Sequence, residues 1–123
     1  MAVPVLKQGD VLIASVQTAL TDRDLLLLKD ELADKVGRFR SRGVIIDVTA
    51  LDVMDSFATR TLRSLAAATR LRGAQTVVVG IQPDVAIALV QLGLTLEGVA
   101  TALDLEEGLE VLGAPSEGQP RGR

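Results

Sequence analysis

Val44-Ile-Ile-Asp-Val-Thr-Ala-Leu-Asp-Val-Met-Asp-Ser-Phe57 is the stretch that decides how this chain folds. As an extended strand, Val44 to Val48 is apolar on both faces, with Asp47 the one exception. Such a run predicts a strand at the centre of a sheet, covered on both sides. The acidic loop Thr49-Ala-Leu-Asp-Val-Met-Asp55 then turns the chain, and a helix is expected from about Ser56 to Arg72. Ala58, Leu62, Leu65 and Ala66 fall on its apolar stripe, and Gly73 supplies the stop. A buried strand feeding a helix through a short loop is one unit of an α/β fold. Functional groups in such folds gather at the carboxyl ends of the strands.

Working outward toward the N-terminus, Val3–Leu6 and Val11–Val16 are short apolar runs separated by the turn pair Gly9-Asp10. They read as a β-hairpin. Thr21 then opens a helix as N-cap, with Asp24 three residues on in the capping-box position and Leu20 and Leu25 at the staple positions. Leu25, Leu28, Leu32, Val36 and Phe39 recur at helical spacing and are expected to face inward. Toward the C-terminus, Thr76–Ile81 reads as a second buried strand, and Pro83 suits the first turn of a helix ended by Gly93. A short strand near Val99 follows. Asp104 then caps a last helix, with Glu107 completing the box and Leu105, Leu109 and Leu112 inward. The order β-β-α-β-α-β-α-β-α predicts an α/β domain with a mostly parallel central sheet, an N-terminal hairpin and about four helices. One domain is expected over residues 1–113, with 114–123 a disordered tail lacking core residues.

Composition narrows the function. The 123 residues include no His and no Cys, so a Ser-His-Asp triad, thiolate chemistry and the usual zinc ligand sets are excluded. Phe39 and Phe57 are the only aromatic residues, a poor endowment for stacking on bases or sugars. A net charge of −3 gives no footprint for nucleic acid. No apolar run approaches the length of a membrane span, and the first residues lack the pattern of a signal peptide. A cytoplasmic protein that is not an enzyme is the expectation, with no cofactor and no metal.

Asp55 and Ser56 stand at a helix entrance, where an Asp-Ser pair ordinarily does no more than cap free N–H groups. Asp47 reads as a carboxylate held by loop amides, Thr59 as a solvent-facing helix threonine, and Arg60 as a solvated arginine. Arg63, Arg70 and Arg72 read as surface charges on the same helix. If Asp47 were the phosphoacceptor of a receiver-like domain, an acidic pair should follow the first parallel strand, but Gln17-Thr18-Ala19 stands there. Asp47, Asp52 and Asp55 match no metal-ligand spacing, and no phosphate-binding glycine motif is present.

Five separated segments add a further reading: Val44-Ile-Ile-Asp-Val-Thr, Met54-Asp-Ser-Phe, Gly80-Ile-Gln-Pro-Asp-Val-Ala, Leu89-Val-Gln-Leu-Gly and Thr101-Ala-Leu-Asp-Leu-Glu-Glu-Gly-Leu. Together they resemble the STAS domain, and within that family the RsbS-type antagonists of bacterial stressosomes. The resemblance implies that Ser56 is a phosphoacceptor, with Thr59 a possible second one. It implies an RsbT-type serine/threonine kinase that binds the unmodified domain and leaves when Ser56 is phosphorylated, with Asp52, Asp55, Phe57 and Arg60 as candidate contacts. Larger STAS paralogues with N-terminal sensory domains and a resetting phosphatase are the other implied partners, and the chain resembles the minimal STAS-only component. A stand-alone anti-sigma factor antagonist would use Ser56 in the same way and differ in assembly.

One helix carries a separate signal. Val85-Ala-Ile-Ala-Leu-Val-Gln-Leu92 is apolar nearly all round, which in a helix means cover on two sides. Val85, Ile87, Leu89 and Val90 are therefore candidates for assembly with other STAS domains, as homo- or hetero-oligomer. The sequence leaves open which of them point outward.

Overall fold

The computed structural model describes residues 3–113. The elements follow the expected order: β1 (Val5–Gln8), β2 (Val11–Ser15), α1 (Asp22–Phe39), β3 (Gly43–Asp47), α2 (Ser56–Leu71), β4 (Gln75–Val79), α3 (Pro83–Gln91), β5 (Ala100–Ala102) and α4 (Leu105–Gly113). They build one five-stranded sheet in the order β1-β2-β3-β4-β5. β1 and β2 pair antiparallel, Val5 opposite Ala14, while β2 to β5 are parallel. The segment expected at the centre, β3, is the middle strand. The proposed tail, 114–123, lies outside the described residues.

Because β2 to β5 lie side by side in chain order, every crossover steps in the same direction. Crossovers of one hand then deliver α1, α2 and α3 to the same face. Leu28, Leu32 and Val36 of α1, Leu62 and Leu65 of α2, and Val85 and Leu89 of α3 share one core with Leu12, Ala14, Val44, Ile46 and Val78 of the sheet. Burying each such Leu, Ile or Val contributes roughly 1.5–3 kcal/mol. The opposite face is formed by Val11, Ile13, Ile45, Val77 and Val79, with Leu112 of α4 packed on it. Gly108 lets α4 lie this close, since a Cβ there would stand 2.7 Å from Val79 Cγ1.

Local chemistry sets the helix starts. The Asp24 amide donates to Thr21 Oγ1 at 3.1 Å, and the Thr21 amide donates to Asp24 Oδ2 at 3.2 Å, so the capping box is complete. Hydrogen bonding to Thr21 holds the Asp24 carboxyl below the ordinary carboxylate range. At α4 the reciprocal bond is displaced by one residue. The Glu107 amide donates to Asp104 Oδ1, but Glu107 Oε1 accepts from Leu103.

Several positions differ from the sequence expectation. Phe39 is 41% exposed; it ends α1, where the chain turns through Arg40 in the left-handed conformation, and its ring lies beneath Lys7 and Arg38. Leu105 is exposed too, because α4 starts beside the edge strand β5 and only Leu109 and Leu112 reach over the sheet. The buried stripe of α2 is more polar than expected. Thr59, Thr61 and Thr69 belong to it, while Ala58 is half-buried. Thr69 donates or accepts at 2.8 Å with Thr76 of β4, so this polar pair is satisfied inside the core.

Candidate functional site

β3 ends at Asp47, which is half-buried and accepts at Oδ1 from the Thr49 amide at 2.9 Å. That bond turns the chain out of the sheet, as an Asx turn does. The loop is tethered where it begins by the Val48 amide donating to the Val79 carbonyl, and farther on by buried Met54 and half-buried Leu51. Asp52 and Val53 are exposed between these anchors.

Asp55 does the capping. Its backbone is extended and its Oδ1 accepts from the Ala58 amide at 2.8 Å. Ser56 is thereby the first residue of α2, half-buried, its hydroxyl relieved of the capping role. The first amides of a helix lack an intrahelical acceptor and attract anions. A phosphoryl group on Ser56 would sit at that positive helix end. Phe57 is half-buried beside it, and Arg60 is exposed one turn along the helix. Among the described residues neither Asp52 nor Asp55 forms an ion pair, so the loop keeps its negative charge.

Thr59 departs from the expectation of a solvent-facing residue. It is 0% exposed and its Oγ1 donates to the Asp55 carbonyl at 3.0 Å. In α2 a residue three after Ser56 turns toward the sheet, and the methyl group of threonine fits there once the hydroxyl is bonded to the backbone. Of the arginines read as surface charges, Arg70 instead donates to the Gly98 carbonyl and ties α2 to the segment before β5.

Sequence reasoning missed what supports the loop from the neighbouring strand. Gly80 has φ +80, and a Cβ there would overlap the Thr49 side chain and lie 3.2 Å from Thr49 Cα. Gln82 donates from Nε2 to the Thr49 carbonyl at 2.8 Å and approaches Asp52 Oδ1 at 3.5 Å. The same residue is the N-cap of α3, its carbonyl accepting from Ala86. The run Gly80-Ile-Gln-Pro83 therefore seats the loop that carries Ser56. The available signal was a glycine directly after a buried strand and followed closely by proline; its partner, more than thirty residues away, was not legible.

α3 sorts the four assembly candidates into two pairs. Val85 and Leu89 are buried against the sheet core, which corrects their reading as assembly contacts. Ile87 is 56% and Val90 74% exposed. Among the described residues, no group of three or more acidic, His or Cys side chains is placed to hold a metal. None of the described helices is long and apolar enough to cross a membrane.

The sheet is mixed and runs in chain order, three helices lie on one face, and Ser56 opens the Asp55-capped helix that follows the central strand. The STAS domain family model matches residues 2–108, and the chain belongs to that family. Within it, the similarity is to RsbS. A serine-to-glutamate variant of RsbS from Moorella thermoacetica matches with a TM-score of 0.79 and 37% identity, over 93% of this chain and 97% of that one. A chain from a structure describing the molecular architecture of the stressosome, a signal integration and transduction hub, matches with a TM-score of 0.76 and 37% identity, over 94% and 100% of the two chains. The RsbT co-antagonist protein RsbRA of Bacillus subtilis is 32% identical over 83 residues, 68% of this chain but 30% of RsbRA. This chain thus corresponds to under a third of that relative's length.

Proposed function

We propose that this chain is a phospho-switched scaffold component of a cytoplasmic stressosome, holding an RsbT-type switch kinase until Ser56 is phosphorylated. The observation that carries the reading is the placement of Ser56. It opens α2 with Asp55 doing the capping, in a chain 37% identical to RsbS over nearly its whole length. The kinase transfers the γ-phosphoryl of ATP to Ser56 Oγ. The hydroxyl proton passes to a base on the kinase, and the bond to ADP breaks. The phosphate adds about −1.5 to −2 charge to a loop already bearing Asp52 and Asp55.

The domain tolerates this charge at a helix N-terminus, so the switch acts on the partner and not on the fold. Phosphorylation of Ser56 should weaken kinase binding on the order of a hundredfold, which corresponds to about 3 kcal/mol. Calorimetric titration of the kinase against unmodified and phosphorylated protein measures this directly. Equal affinities would overturn the reading. Ser56→Asp should give a smaller loss, because a carboxylate carries less charge than phosphate. Thr59 is not assigned a role as acceptor, since its hydroxyl is buried and bonded to Asp55. A separate phosphatase would reset Ser56, and the released kinase would act on a downstream cascade.

The exposed side of α3 is assigned to contact with other STAS domains, copies of this chain or larger paralogues with sensory domains. Ile87 and Val90 form an apolar surface with Ala86, and apolar patches of this kind mark contact surfaces. Ile87→Glu and Val90→Glu should leave the fold intact, both being exposed, and lower the mass of the assembly measured by light scattering. The same substitution at Val85 or Leu89 should unfold the domain instead. Assemblies of parental mass from both exposed-site variants would remove α3 from the interface.

A further inference from the structure

Beneath the loop that carries Ser56 is an open-mouthed cavity of about 130 Å³, walled by the segment before α1, the first turns of α1, the end of β3 and the first turns of α2. Its walls are aliphatic, Leu20, Ile46, Met54 and Leu62 among them, and Asp55 is the one charged residue lining it. Apolar cavities of about 150 Å³ stay dry and accept a benzene-sized guest. One leucine, isoleucine or methionine side chain is a guest of that scale.

We infer that the cavity receives one aliphatic side chain of the switch kinase, flanked by a cationic residue that meets Asp52 and Asp55. The inference rests on the reading that the kinase docks at Ser56, and it adds the chemistry of the contact. Three observations favour this occupant. Val53, which also lines the cavity, is 73% exposed, an apolar rim of the sort that excludes water around a seated anchor. Asp55 lines the cavity and Asp52 stands three residues before it; both are exposed and form no ion pair among the described residues, so their charge is left for a cation on the partner. Asp55 directly precedes Ser56, and Ala58 is part of the wall. A chain anchored here lies across the acceptor hydroxyl, and a phosphoryl group in the first turn of α2 obstructs the seat. The anchor therefore belongs to the unmodified state.

Methionine occurs only at positions 1 and 54, and Met54 is buried in the cavity wall. In protein labelled at the methionine methyls, saturation with the kinase should move the Met54 signal. Filling the space from within should have a matching effect: Ala19→Phe, or Ala58→Leu should the first not fold, should lower kinase affinity by about tenfold or more. A Met54 signal that stays in place at saturation overturns the inference, and so does parental affinity in a folded, cavity-filled variant. The Met54 measurement needs no substitution and decides the matter if neither variant folds. Kinase binding that is lost on Ser56 phosphorylation but indifferent to filling overturns the anchor and keeps the switch. No binding by the parental chain overturns the switch and the anchor with it.

Discussion

Ser56→Ala should reduce phosphate incorporation on the order of a hundredfold or more, because it removes the one nucleophilic oxygen at the α2 entrance that is free of another task. The neighbouring hydroxyl, on Thr59, is fully buried and donates to the Asp55 carbonyl. Reaching it would require opening the first turn of α2. The fold should hardly notice the change. Asp55 caps the helix, and alanine is the best helix former, so stability should stay within about 0.5 kcal/mol of the parent. Intact-mass measurement after incubation with kinase and ATP, followed by peptide mapping, tests both halves. Phosphate found mainly on Thr59, or at parental levels in Ser56→Ala, would show that the acceptor lies elsewhere.

Gly80→Ala should be among the most damaging small substitutions in the domain. An alanine at φ +80 bears the left-handed penalty of about 1–2 kcal/mol. Its methyl would also collide with Thr49, and overpacking of that kind costs about 1–3 kcal/mol. The sum, roughly 2–5 kcal/mol, is a large share of the 5–15 kcal/mol typical of a domain. Gly93→Ala separates the two contributions, because Gly93 has φ +70 but open space around its Cα. Urea unfolding should show Gly93→Ala losing only the backbone part. Equal losses for the two variants would mean that contact with Thr49 is not what fixes residue 80. In Gly80→Ala the loop should shift as well, so phosphorylation of Ser56 should slow even where the protein remains folded.

Local signals were the ones the sequence displayed clearly. Gly9-Asp10 marks the hairpin, Thr21 and Asp24 mark the start of α1, and the run at Val44, apolar but for Asp47, marks the central strand. Each depends on residues only a few positions apart. Ser56 was placed correctly at the helix entrance for the same reason, although the choice between Asp55 and Ser56 as cap depended on backbone geometry. Position around a helix axis was less legible. Val85, Ile87, Leu89 and Val90 are all aliphatic, so composition carried no contrast from which to orient α3. Thr59 and Phe39 misled in opposite directions. A threonine is admitted to the core once its hydroxyl bonds to the backbone, and a phenylalanine at the end of a helix can remain outside and lie beneath cations. The support of Thr49 by Gly80 and Gln82 is a contact between distant segments, and nothing local announces it.

The spatial order β1-β2-β3-β4-β5 repeats the order in which a ribosome would release these segments. Each new strand finds its neighbour already in place and joins an existing edge, with no earlier strand required to move aside. Each parallel pairing still joins residues far apart along the chain, Val11 with Gly43 and Val77 with Ala100, and non-local pairing of that kind is slow to form. The second face of the sheet is covered last. Ile45, Val77 and Val79 wait for Leu112, so the nascent chain keeps an oily side open to water until α4 has emerged. That interval is when a growing chain of this topology is most exposed to self-association, and a chaperone would find its target there.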